Sequence, residues 1–142
     1  MIVYPDENYN SWISEDNAFE YFENRLNSDA WDSLTNGQAA LITAFHSLAE
    51  LNLDIVFVEA GIISTDVYST SEVETILQDL QFAQCEQALH ELNTDLDTQQ
   101  IVNLSLIGLS VKMPDKKPER FSPRAMAILR SYVIAPSVTR YR

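Results

Sequence analysis

The sequence predicts a mainly α protein: a small helical bundle of about four helices, with a short β-strand or hairpin and extended N- and C-terminal arms. Three observations carry that expectation. Apolar residues recur at three- and four-residue spacing in four separate stretches. A capping residue stands at the start of each stretch. Glycine is scarce, at 3 in 142 residues, and the prolines fall at breaks in the helical pattern or at a helix start.

Residues 1–13 (MIVYPDENYNSWI) are expected as an extended arm, because Pro5, Asn8 and Asn10 interrupt any periodicity. Ser14 is placed to cap a first helix, and Glu15 and Asp16 suit its positive end. Ala18, Phe19, Phe22 and Leu26 then share one face, with Tyr21 beside them, and Asn27, Ser28 and Asp29 end the helix. Trp31 follows in a short linker, as a lid over that helix. Thr35 and Gln38 have the spacing of a capping box, and Leu41, Ile42, Phe45, Leu48 and Ala49 mark a second helix over about residues 36–51.

Residues 52–70 have no helical period, so Ile55, Phe57, Glu59 and the Gly61 region read as extended chain or loop. Ser71 and Glu74 form another capping-box pattern. The third helix behind it buries Val73, Ile76, Leu77, Leu80, Ala83, Ala88, Leu89 and Leu92, and is expected to end at residue 92 or 93, roughly 30 Å on. Residues 101–113, aliphatic and β-branched with Gly108 inside, read as a bent strand or small hairpin. Residues 114–121 (PDKKPERF) form a linker. Ser122 caps a last helix with Pro123 at its first position and Met126, Leu129, Tyr132 and Val133 on its apolar side. Ala135 and Pro136 stop that helix. This divides the chain into a single domain over residues 1–133 and a C-terminal docking tail over residues 134–142.

Charge is segregated. Residues 1–111 hold 19 acids and one base, Arg25, a net −18. Residues 112–142 hold eight bases and two acids, a net +6. An acidic body with a basic end either folds that end back on itself or presents it to an acidic surface of another chain, including the next copy in a head-to-tail assembly. The N-terminus lacks the pattern of a signal peptide, and no apolar run nears the ~20 residues that span a bilayer. One cysteine, Cys85, excludes an internal disulfide and suits synthesis in a reducing compartment.

The chemistry-bearing residues nominate no catalytic constellation and no cofactor, and the chain is read as a non-enzyme. His46 with Glu50 and Glu86 with His90 are two i, i+4 pairs that could converge if their helices packed, but the further carboxylates of a bundle metal centre are missing, so no metal site is assigned. Asp95 and Asp97 read as a solvated helix exit. Cys85 lies mid-helix with no local base. Neither a phosphate loop nor a dinucleotide fingerprint occurs. Phosphate contacts need Lys and Arg, of which the first 111 residues offer only Arg25, and Trp12, Phe19, Tyr21, Phe22 and Trp31 are surrounded by acids.

The order of features resembles a family of small tailed-phage proteins. The segment YNSWISEDNAFEYFENRLNSDAW matches the family pattern at Asn10, Ser11, Trp12, Ile13, Ser14, Ala18, Tyr21, Phe22 and Trp31, and then at Thr35, Ala40, Leu41 and Ile42. EQALHEL (Glu86 to Leu92), SLIGLSVKM and a final short helix follow in the same order, so the likeness spans nearly the whole chain. Residues 60–71, AGIISTDVYSTS, depart from it, lacking the family's Trp-Pro-Arg-like segment. The family is that of head-tail connector adaptors, and it is also similar to proteins labelled DnaT-like single-stranded-DNA-binding domains. The resemblance implies a virion neck protein made in the host cytoplasm. It implies a ring, twelve-fold in that family, between the portal and a tail-completion or stopper protein, with double-stranded DNA passing through unbound. On that reading Arg120, Arg124, Arg130, Arg140, Tyr141 and Arg142 dock the portal. Glu20, Glu23, Glu72 and Asp79 serve subunit contacts or the channel wall. The alternative is a single-stranded-DNA-binding replication protein, which would want a positive groove.

Overall fold

A computed structural model describes residues 1–106 and 120–133, with side chains through residue 94 and again from residue 120. Its architecture is mainly helical: α1 (Glu15–Glu23), α2 (Asp29–Asp32), α3 (Gly37–Ala49), α4 (Thr70–Leu106) and α5 (Pro123–Leu129). None of the described helices is long and apolar enough to cross a membrane.

α4 is the axis of the fold. Seven consecutive residues, from Ala83 to Leu89, are buried, which an amphipathic surface helix cannot do. The burial follows from what surrounds it. One apolar cluster joins Ile13, Phe22, Trp31 and Leu41 to Cys85, Ala88 and Leu89. A second joins Trp12, Leu48, Ile55 and Ile63 to Ile76, Leu80 and Ala83, and Ala125 and Leu129 of α5.

The helix ends show how local chemistry sets the boundaries. Ser14 caps α1 by accepting the Asn17 N–H at 3.2 Å. α1 stops at Glu23, so Leu26, expected on its apolar face, lies past the end and is 84% exposed. Trp31 sits in the one-turn α2 and stacks on Phe22 with ring centroids 4.5 Å apart, closing over α1. The α3 cap is Asn36, not Thr35: its side chain accepts the Ala39 N–H at 3.2 Å. Trp31 accounts for the tight helix start, because a β-carbon on Gly37 would stand 2.8 Å from its indole ring.

The capping box of α4 also lies two residues earlier than the Ser71–Glu74 pattern. Ser69 N–H donates to the Glu72 carboxylate at 2.9 Å, and Glu72 N–H to the Ser69 hydroxyl at 3.3 Å. Tyr68 before the cap and Val73 after it both turn into the second apolar cluster, which fixes this register. At its other end α4 runs on through Leu106, so residues 101–106 are helical and not the strand expected there. Extending an existing helix adds one hydrogen bond per residue, whereas a new strand needs a partner to pair with. The remainder of that expected strand, residues 107–113, lies outside the described residues. Ser122 caps α5 through the Ala125 N–H at 3.2 Å, with Pro123 first in the helix as the sequence indicates.

Two segments without helix complete the core. In residues 1–13 the chain folds back, Tyr4 N–H donating to Ser11 O at 2.8 Å, and Ser11, Trp12 and Ile13 are buried against α4. Residues 53–63 turn through a small hairpin: Phe57 pairs with Ile63, and Val58 N–H donates to Ile62 O at 2.7 Å. Its tip places Ala60 at φ 73° and Gly61 at φ 77°. Gly61 is also pressed by Tyr9, whose hydroxyl donates to its carbonyl at 2.8 Å and would lie 3.1 Å from an added β-carbon. Ala60→Gly is therefore expected to stabilise by up to about 1 kcal/mol, the relief of a left-handed alanine less the entropy that glycine loses on folding. Gly61→Ala should destabilise by a similar amount or more. Urea midpoints of the two variants, moving in opposite directions, check this.

Candidate functional site

The sequence-nominated residues fall into two groups, the C-terminal docking residues and the acids of α1 and α4. α5 carries Arg124 and is followed by Arg130 at its C-cap, both exposed, with exposed Arg120 just before its N-cap. Arg120 forms an ion pair with Glu50 at the end of α3, and its guanidinium lies 5.2 Å from the Phe121 ring centroid. Both partners of that pair are more than half exposed, so it contributes little to stability. Arg140, Tyr141 and Arg142 lie outside the described residues.

The nominated acids do not form one cluster with a common role. Glu72 is occupied in capping α4, and its hydrogen bond from the Ser69 backbone holds its carboxyl below the ordinary range. Asp79, half-buried, accepts the Tyr132 hydroxyl at 2.7 Å and so helps tie the chain after α5 to α4. Burial, with that donation to Asp79, pushes the Tyr132 hydroxyl up to about 12. Glu20 and Glu23 are exposed on α1. Glu20 edges a groove of about 470 Å³ between α1 and α4, lined by the polar Asn17, Asn24, Arg25, Gln78 and Gln81 and by Ile13, Tyr21 and Phe82.

Arg25, the one base of the acidic body, is directed inward. Its Nε donates to Glu86 Oε2 at 2.6 Å and its second terminal nitrogen to Oε1 at 3.0 Å, a two-point grip. The Tyr21 hydroxyl donates to the same carboxylate. Burial would raise the Glu86 carboxyl, but the hydrogen bonds from Arg25 and Tyr21 outweigh it and hold the group below its ordinary value. Glu86 thus belongs to Arg25, 61 residues away. The i, i+4 reading with His90 does not describe its bonding, and His46 is exposed on α3. Among the described residues no three His, Cys, Asp or Glu side chains gather as a metal would need. Cys85 is fully buried, and burial pushes its thiol far above the ordinary range, so it is inert as a nucleophile.

Residues that sequence reasoning passed over do the fastening. Gln84, fully buried, accepts the Trp12 N–H at 2.9 Å and donates to Ser11 Oγ and Leu41 O, both at 2.8 Å. Gln87, one turn on, accepts the Ser122 N–H at 2.8 Å and donates to Arg120 O at 2.9 Å. One glutamine holds the N-terminal segment and the other the start of α5. Their signal is visible in the sequence: amides three apart in QFAQCEQALHE, on the helix face that also carries Leu80.

The hairpin holds none of the sequence-nominated site residues. Val56, Phe57 and Val58 are consecutive and exposed, at 43%, 36% and 44%. A hollow of about 360 Å³ beside them is lined by Tyr9, Phe45, Leu48, Leu53 and Phe57.

Compared with family models, curated proteins and solved structures, the chain matches none of them.

Proposed function

We propose that this chain is a structural docking protein without catalytic turnover. Within that class, we propose a neck adaptor of a tailed phage. On this reading the domain of residues 1–133 assembles into a ring, twelve-fold by family resemblance. The ring links the portal to a tail-completion or stopper protein and lets double-stranded DNA pass.

The distribution of cations carries the reading. The single base of residues 1–111 is directed into Glu86, so the acidic body offers no Lys or Arg to phosphates. The described bases on the exterior, Arg120, Arg124 and Arg130, are exposed on and flanking α5. A negative wall suits DNA that must slide, and an arginine-rich end suits burial against another protein. Portal docking is assigned to Arg120, Arg124, Arg130 and the tail residues Arg140, Tyr141 and Arg142. Of the nominated acids, Glu20 and Glu23 are the exposed pair best suited to subunit contacts or the channel wall, while Glu72 and Asp79 also serve the fold.

Deleting residues 134–142 tests the assignment. The truncated chain is expected to keep its thermal transition and lose co-purification with portal. Undiminished portal binding would overturn the docking role. Saturable binding of a labelled single-stranded oligonucleotide at ~0.15 M salt would instead favour the DNA-binding reading.

A further inference from the structure

We propose that the groove beside the 53–63 hairpin receives a lysine-rich stretch, residues 112–117, of a second copy of this chain. The apolar hollow floored by Phe45, Leu48 and Leu53 continues, through Tyr9, Phe45 and Gly61, into a second hollow edged by Glu7 and Glu59. The surface therefore combines an apolar floor with an acidic rim. Its walls are fixed: Tyr9 holds the Gly61 carbonyl, Tyr4 accepts the Ile63 N–H at 3.0 Å, and Tyr68 accepts the Val56 N–H at 3.1 Å. Phe57 lines this hollow while itself 36% exposed, and Val56 and Val58 beside it are exposed apolar side chains of the same hairpin.

Charge complementarity selects the occupant. Bodies that carry −18 each repel one another unless a cationic segment lies between them. Only residues 112–142 supply one, and the portal-docking assignment leaves its three lysines, Lys112, Lys116 and Lys117, without a role. The stretch KMPDKK has the matching chemistry: the Met113 and Pro114 side chains and the lysine stems for the floor, and ammonium groups for Glu7 and Glu59. A groove on one copy and a basic stretch on the next make a heterologous contact, which closes into a ring or continues as a filament. The inference deepens the ring reading and rests on it for the existence of a contact between copies.

The test uses the full chain without portal, by sedimentation over a concentration series reaching ~1 mM. Wild type is expected to self-associate, less so as salt is raised from ~0.05 to ~0.5 M. Glu7→Lys with Glu59→Lys, and separately Lys116→Glu with Lys117→Glu, should each weaken association by ~10-fold or more. All four changes in one chain should restore it, and so should a mixture of the two double variants, in which each groove meets a stretch of opposite charge on the other variant. These positions are exposed or in the basic linker, and circular dichroism verifies that each variant folds. A wild type that stays monomeric throughout, double variants that associate like wild type, or a four-fold variant that fails to recover would each overturn the proposal. Portal co-purification, measured separately, distinguishes this failure from failure of the adaptor reading: self-association without portal binding removes the adaptor role and keeps the groove contact.

Discussion

Gln84→Ala is expected to destabilise the protein by roughly 3–4 kcal/mol. The amide makes three hydrogen bonds, to the Trp12 N–H, the Ser11 hydroxyl and the Leu41 carbonyl, and is fully buried. Truncation leaves the Trp12 N–H without an acceptor, which alone costs about 1–3 kcal/mol, and removes buried side-chain volume. Gln84→Glu refines the test. A carboxylate still accepts from Trp12 but cannot donate to Ser11 or Leu41, and its charge is buried without a partner. Its deficit at neutral pH should shrink as acid protonates it and restores a donor. Urea midpoints at two pH values read both effects. A cost below about 1 kcal/mol for the alanine variant would mean that the N-terminal segment is held by apolar packing alone.

Glu86→Gln is expected to cost roughly 2–3 kcal/mol, because it leaves Arg25, whose side chain is 14% exposed, without its counter-charge. The pH dependence follows from the depressed Glu86 carboxyl. In the unfolded chain this group protonates near its ordinary value of ~4.3. The stabilisation is therefore complete above that pH and disappears as pH falls through the lower folded value. The variant should lose this acid-side dependence, and its stability should converge on wild type in strong acid. Tyr21 acts at the other end of the scale. Burial and donation to Glu86 raise its hydroxyl, so its contribution is present below pH ~10 and declines as alkali ionises it. Thermal transitions across pH 2–7 check the first sign. A wild-type acid limb as flat as the variant's would contradict it.

Helix existence was legible from apolar spacing because core packing imposes that spacing directly: Ala18 and Phe22, Leu41 and Leu48, Ile76 and Leu80 are all buried as the pattern indicates. Helix starts were less so. Thr35 and Ser71 look as good on paper as Asn36 and Ser69, and the choice is made by tertiary neighbours, Trp31 over Gly37 and Tyr68 turned inward. The extension of α4 into residues 101–106 was hidden because β-branched residues there favour a strand locally. The candidate surfaces divide in the same way. The crowding of bases at the C-terminal end is a property of the sequence. The pairing of Arg25 with Glu86 joins residues 61 apart, and only the fold brings them together.

A density map of the assembled neck tests the central claim most directly. The account predicts Arg124 and Arg130, with the arginines and Tyr141 of the tail, buried against portal polypeptide and paired with its carboxylates. Those side chains standing in solvent, or lying along a nucleic-acid backbone, would contradict it.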